Sequence, residues 1–370
     1  MRWLGILAAA AAGLVVVLGV VLVVATPPVD PVAWTAPPAP SLAEGPYALN
    51  DRLRGIRRIA EAVGHGPESV AVGPDGTLYT GFEDGRIARF AADGSDYRLI
   101  ADTRGRPLGI ALHPSGDLIV ADAKKGLLRV TLKGRGTVLA TEAEKEPFGF
   151  PDDVAVDAAG RFVYFTDASS TWGYGRSTTD VLEHRGSGRL LRYDFTTATT
   201  TVLLHGLQFA NGVALDPDEQ FVLVDETGGY RVTRYWLAGA KAGTSDVFVD
   251  DLPGFPDNVR FAGRDRVWVA LPSPRDPFVD RLAAWPLVRG MIARAVYWLP
   301  PSPARDPKVM AYDREGRLVA NMQTTDRHGY GFITQVTEAG QWLYFGSIEE
   351  DAIGRLPLAA AGLAAMPLPP

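Results

Sequence analysis

Apolar residues come in short runs along this chain, each closed by a turn signal and answered by a second run. Aligned against itself, the chain repeats GPESVAV from Gly66, RPLGIAL from Arg106, FPDDVAV from Phe150, FANGVAL from Phe209, FPDNVRF from Phe255 and, more weakly, GFITQVTE from Gly331. Turn signals follow the copies: GPDG at Gly73, HPSG at His113, DAAG at Asp157, DPDE at Asp216, AGRD at Ala262 and TEAG at Thr337. A second β-rich run comes after each turn (TLYTG, DLIVAD, FVYFTD, FVLVDE, RVWVAL, WLYFGS), and runs such as GRIARF and GRLLRYD supply further strands. Strand, tight turn, strand and further strands, recurring about every 40 residues, describe propeller blades. Six copies predict an all-β, six-bladed β-propeller. No helix-period segment alternates with the strands, which argues against a parallel α/β sheet.

Two stretches depart from this pattern. Residues Trp3 to Ala25 carry no charge and are rich in Leu, Val and Ala. A helix crosses a bilayer with about 20 apolar residues, whereas a cleavable signal core is usually about 7–15, so the length favours a retained anchor over residues 1–25. Cleavage after Ala25 is the alternative. Arg2 is the one charge ahead of this segment, and Thr26 to Pro46 holds Asp30 and Glu44 but no Lys or Arg. The positive-inside rule then keeps the N-terminus cytoplasmic and exports the body, on the periplasmic, lumenal or extracellular side. The seven prolines of Thr26 to Pro46 predict a stiff, extended linker, with the propeller occupying 47–370. The second departure is Pro272 to Pro307, an apolar stretch holding Arg281, Arg289 and Arg294 that predicts a helical insertion between blades five and six, folded over the channel mouth or against the membrane.

Composition narrows the chemistry. A formal net charge of -6 leaves no basic surface for phosphates and argues against nucleic acid as a partner. The absence of cysteine excludes disulfides, thiolate metal sites and a cysteine nucleophile. No GxSxG elbow is present, so a serine-hydrolase triad has no motif to rest on.

The repeat register supplies a candidate site. Two residues before Val70, Ile110, Val154, Val213, Val259 and Val336 of the six copies stand Glu68, Leu108, Asp152, Asn211, Asp257 and Thr334. Innermost strands line the channel of a propeller, so these positions form a ring at its mouth. Three carboxylates and an amide, without sulfur or imidazole, suit Ca²⁺, which takes about 6–8 hard oxygen ligands. The alternative is that each oxygen bonds backbone amides at a strand entry, as Asp and Asn often do. Asp122, Asp167 and Asp225 end the second strand of their blades, on the same face, as outer supports or turn caps.

The stretches FTDASSTW, GRLLRYD, FANGVALDPDEQFVLVDET, RYWLAGAKAGTS and LPGFPDNVR resemble the strictosidine synthase-like family, in particular its adipocyte plasma membrane-associated branch. More distantly the ring is similar to that of gluconolactonases, the senescence marker protein family and paraoxonases. That wider group implies Glu68, Asp152, Asn211 and Asp257 as metal ligands, with Asp153 or Asn258 in support. Thr334 stands where strictosidine synthase has its catalytic glutamate, and Leu108 where paraoxonases have a channel histidine. Neither the amine–aldehyde condensation nor a histidine dyad is therefore expected. The expected activity is Ca²⁺-dependent hydrolysis of a lactone or aryl ester, with Asp257 or Asp153 as base and His184 and His328 as weaker options. The alternative is a non-catalytic propeller, stabilised by calcium, that binds a partner or lipid at the membrane surface.

Overall fold

The turn signals do what their residues allow. In GPDG, the Asp75 carboxylate accepts from the Thr77 amide and Gly76 takes φ +81°, a left-handed conformation that a side chain would strain. Such turns fold the repeats into six four-stranded antiparallel sheets. The computed structural model describes residues 24–302 and 304–364, with isolated positions before them. The expected anchor over residues 1–25 lies mostly outside the described residues, and among those described no helix is long and apolar enough to cross a membrane.

The second strands read as continuous apolar runs because each is covered on both faces. In Phe221–Glu226, Phe221 and Leu223 pack towards blade five and Val222 and Val224 towards blade three. In Arg266–Leu271, Val267, Val269 and Leu271 face blade four while Trp268 and Ala270 face blade six. The core is thus a set of inter-blade layers, and the period-2 geometry of a strand sorts alternate side chains into different layers. Fourth strands such as Arg98–Asp102 and Gly136–Ala140 lie at the rim and are largely exposed.

Ring closure uses a strand outside the repeat. Arg57–Ile59 pairs with Ile353–Pro357 in the register Arg57 with Arg355 and Ile59 with Ile353, completing blade six from the other end of the chain. Its neighbour strands Ile333–Ala339 and Trp342–Ser347 come from the last repeat.

The helical stretch stands inside blade five rather than between blades five and six. Lys308–Tyr312 pairs with Arg266–Leu271 and Leu318–Gln323 pairs with Lys308–Tyr312, so the chain leaves after the second strand of blade five and returns to build its third and fourth. The strands before and after the excursion belong to one sheet, because pairing is fixed by the partner strand and not by sequence spacing. A shorter excursion between Phe162–Asp167 and Gly188–Asp194 of blade three carries helix α1 (Ser177–Glu183); the one in blade five carries α2 (Pro277–Arg281) and α3 (Pro286–Trp298). Both excursions leave from the end of a second strand, the edge at which first strands begin, since Pro151 pairs with Asp167 and Ala210 with Glu226. They therefore stand on the face that carries the acidic ring.

The proline-rich segment is not a free spacer. The Val32 amide donates to Glu183 O, the Trp34 amide to Ala283 O, and Arg289 donates to the carbonyls of Val32 and Val181. Arg275 donates to Pro37 O, and Val29 packs with Leu182 and Ala293. Outside any sheet the segment's carbonyls need other donors, and arginines of the excursion in blade five supply them.

Candidate functional site

Each ring residue enters its innermost strand beside a residue that ties two blades together. Thr334 Oγ1 donates to Glu68 O at 2.6 Å, Thr166 Oγ1 to Asn211 O, the Gly212 amide to Asp257 O at 2.7 Å, and the Asn258 amide to Thr334 O at 3.0 Å. Blades meet so closely here that a Cβ on Gly212 would lie 2.5 Å from Asn258 Cα, and one on Gly109 2.5 Å from Asp153 Cα. The NG pair of FANGVAL and the LG pair of RPLGIAL are read by this contact. These bonds and contacts fix the backbone, leaving the ring side chains to point at the channel mouth.

There the structure brings Glu68, Asp152 and Asp257 within each other's fields. Asn258 links two of them, its amide nitrogen donating to Glu68 Oε1 and, at 3.1 Å, to Asp257 Oδ1. Burial first, and then the negative charge of Asp153, push the Glu68 carboxyl up to about 7. Asp152 and Asp257 are also raised well above the ordinary carboxylate range, by burial and then by Glu68. Glu68 Oε2, Asn211 Oδ1 and Asn258 Oδ1 are buried with no hydrogen-bond partner among the described residues. Buried polar atoms are normally paired, so a cluster of unpaired oxygens marks a place built for something else.

The candidates divide. Asp153 does not belong to the open ring: Arg260 grips both its oxygens, at 2.5 and 2.6 Å, and the amides of Val213 and Val154 donate to them at 2.9 and 2.8 Å. Its lone pairs are occupied in a buried ion pair, which speaks against a general-base role. The second-strand aspartates divide as well. Asp122 caps the amides of Arg106 and Lys124, and Asp167 takes Arg189 and the amides of Gly149 and Phe150. Asp225 has neither oxygen bonded among the described residues, and burial with the nearby Asp153 charge raises its carboxyl strongly. His184 stacks on Trp34 at 4.0 Å, and burial followed by the charges of Arg289 and Arg231 holds it down to about 3, neutral at physiological pH. His328 is exposed.

Two features of the site were missed in the sequence. Arg106, fully buried, donates to Gly66 O at 2.9 Å, and its charge opposes the upward shifts of Glu68 and Asp152. It lies two residues before Leu108, in the repeat where the ring lacks an oxygen. The second is an aromatic collar. Phe150, Phe209 and Phe255 each precede a ring residue by two positions; Phe150 and Phe209 meet edge-on at 5.5 Å, and Phe255 lies 5.0 Å from Tyr230. The repeated Phe was visible in FPDD, FANG and FPDN, but its role depends on blades meeting. Phe209 holds φ +61°, unusual for a residue with a side chain.

The donors fit a hard cation in kind: oxygen only, buried, several carboxyls and two amide oxygens. Among the described residues, no three His, Asp or Glu side chains already converge as a metal cage.

Six antiparallel blades around a mouth of buried oxygen donors define this protein as a β-propeller with an acidic channel-mouth site. Its sequence relations are more specific. The strictosidine synthase model matches residues 152–240 and the strictosidine synthase-like N-terminal model residues 45–90. The chain is 34% identical to adipocyte plasma membrane-associated protein of Rattus norvegicus, over 90% of this chain and 93% of that one. It is 37% identical to strictosidine synthase-like protein 6 of Arabidopsis thaliana, over 86% of each. The chain belongs to the strictosidine synthase-like family. In fold it is similar to a gluconolactonase of Xanthomonas campestris (TM-score 0.59, 18% identity, 90% of this chain and 97% of that one). It is likewise similar to the calcium-binding protein regucalcin of Agrobacterium tumefaciens (TM-score 0.57, 14% identity, 81% and 92%).

Proposed function

We propose that this propeller hydrolyses lactones or aryl esters with a Ca²⁺ ion held by Glu68, Asp152, Asn211 and Asp257. The observation that carries this reading is the group of buried, unpaired oxygens at Glu68 and Asn211 beside carboxyls that burial has pushed far upward. Like charges gathered in a buried site are costly, and a divalent ion would offset that cost. Propellers of the same fold described as a gluconolactonase and as calcium-binding support the choice of ion and of reaction class.

When bound, the ion would supply positive charge for the carbonyl oxygen of an ester. The chain's own residues do the rest. Phe150, Phe209 and Phe255 form an apolar collar that would hold the acyl or aryl part and exclude water. Arg106 adds fixed positive charge. With Asp153 gripped by Arg260, Asp257 is the candidate left to take a proton from water, and Asn258 orients it.

The test is turnover of a panel of lactones and phenyl esters by Asn211→Ala and Asp257→Ala, at saturating Ca²⁺ and at a temperature where both are folded. Turnover should fall about 10²-fold or more, since preorganised charge stabilisation is commonly worth about 3–4 kcal/mol. Turnover near that of the unaltered protein in both variants, or unaltered turnover in excess chelator, would sink the catalytic ion and leave a binding propeller.

A further inference from the structure

Helix α3 has two faces. Arg289 and Ala293 are buried, and its arginines turn back into the protein: Arg289 bonds Val32 O and Val181 O, and Arg294 bonds Gly290 O and Val29 O. On the opposite side Leu287, Met291 and Trp298 are 86%, 69% and 54% exposed. Their spacing, i, i+4 and i+11, stacks them in one stripe along a helix of 3.6 residues per turn. Trp285 and Phe278 are exposed beside it. Leaving this much contiguous apolar surface in water is unfavourable, and such patches mark an interaction surface.

The chain itself shows what covers the stripe. Trp298 Nε1 donates to Thr26 Oγ1 at 3.2 Å and Arg294 donates to Val29 O at 3.0 Å, so the polypeptide is pinned to α3 where the uncharged stretch Trp3–Ala25 ends. If that stretch spans a bilayer, as its length leads us to expect, the stripe is held at the bilayer surface. We infer that α3 lies in the membrane interface, with Leu287, Met291 and Trp298 inserted among lipid acyl chains and the ring face of the propeller turned towards the bilayer. Tryptophan favours this boundary, and an amphipathic helix buries its apolar face there while lying in the plane. By its spacing Arg294 falls on the same side, but its guanidinium is committed to Gly290 O and Val29 O, so the attraction is hydrophobic. It requires no anionic lipid and is insensitive to salt.

The test uses the full chain in phosphatidylcholine nanodiscs loaded at one copy each, which removes self-association. The chain has no cysteine, so Leu287→Cys, Met291→Cys and Lys133→Cys each give one site for a polarity-sensitive fluorophore. Lys133 is exposed on a turn at the other face of the propeller. At 287 and 291 the emission should shift to the blue, doxyl-labelled lipid should quench it, and iodide should quench it several-fold less than at 133. Raising the salt should change none of these. Equal iodide quenching at all three sites overturns the inference. So does protection from iodide without quenching by doxyl lipid, because protein would then be covering the stripe. The readout does not involve turnover, so its failure is separate from failure of the hydrolase reading.

Discussion

Asp153 and Glu68, both fully or almost fully buried, show how a carboxylate is made safe or left poised. Asp153 has Arg260 and two amides; Glu68 has the Asn258 amide and one oxygen with no partner among the described residues. Removing one member of a buried pair commonly costs about 3–5 kcal/mol, because the other charge is left uncompensated. Arg260→Met should therefore lower the denaturant midpoint markedly, and Asp153→Asn combined with it should recover part of the loss. Glu68 predicts a pH effect. Unfolded, its carboxyl titrates near 4.5; folded and without metal, it is pushed up to about 7. The folded state then holds the extra proton between those values, so stability without a divalent ion should fall as pH rises from about 4.5 to about 7, by on the order of 3 kcal/mol at most. Thermal melts in chelator across that window check it. Ca²⁺ should reverse the trend, raising the melting temperature more at pH 7.5 than at pH 5, with protons released on binding. A melting temperature that rises with pH in chelator would count against the buried ring.

At the scale of elements, register and closure decide more than propensity does. The Gly212 contact is a pairing requirement between blades four and five, so Gly212→Ala, although its backbone is unstrained, should force those innermost strands apart. Overpacking of this kind typically costs about 1–3 kcal/mol, measurable as a drop in melting temperature. The closing strand makes a separate prediction. Arg57–Ile59 is short and half exposed, yet it gives blade six its outer strand and joins the two ends of the ring. The substitution Arg58→Pro removes a backbone amide and the Arg58 contact with Glu350. Amide exchange should then rise in Ile353–Pro357 before it rises in blade three. Uniform exchange across all blades would mean that closure is not the weak point.

At the scale of the whole molecule, the ring face is assembled from distant parts of the chain. Blade entries from residues 68 to 258, the excursion of blade three, the excursion of blade five and the proline-rich segment all meet there. A ligand that binds only this assembled face stabilises the fold as a whole by mass action. Ca²⁺ should therefore raise the melting temperature of protein first made metal-free, with the shift growing with its concentration. Identical melting curves in chelator and in excess Ca²⁺ would remove the ion from the site.

The blade count, the turns and the shared register of Glu68, Asp152, Asn211 and Asp257 were legible in the sequence. A repeat writes the same local rules six times, and period-2 runs between turn residues are local signals. The Phe two residues before Asp152, Asn211 and Asp257 was legible too, though not its use. Four things depended on contacts between residues far apart in sequence: which strand closes blade six, that the helical stretch interrupts blade five, that Arg260 claims Asp153 while Asp225 stays unpaired, and that the prolines are strapped to the excursions. Strand pairing and ion pairing are chosen by what the folded chain brings within a few ångströms. Spacing along one chain could offer those partners but could not choose among them.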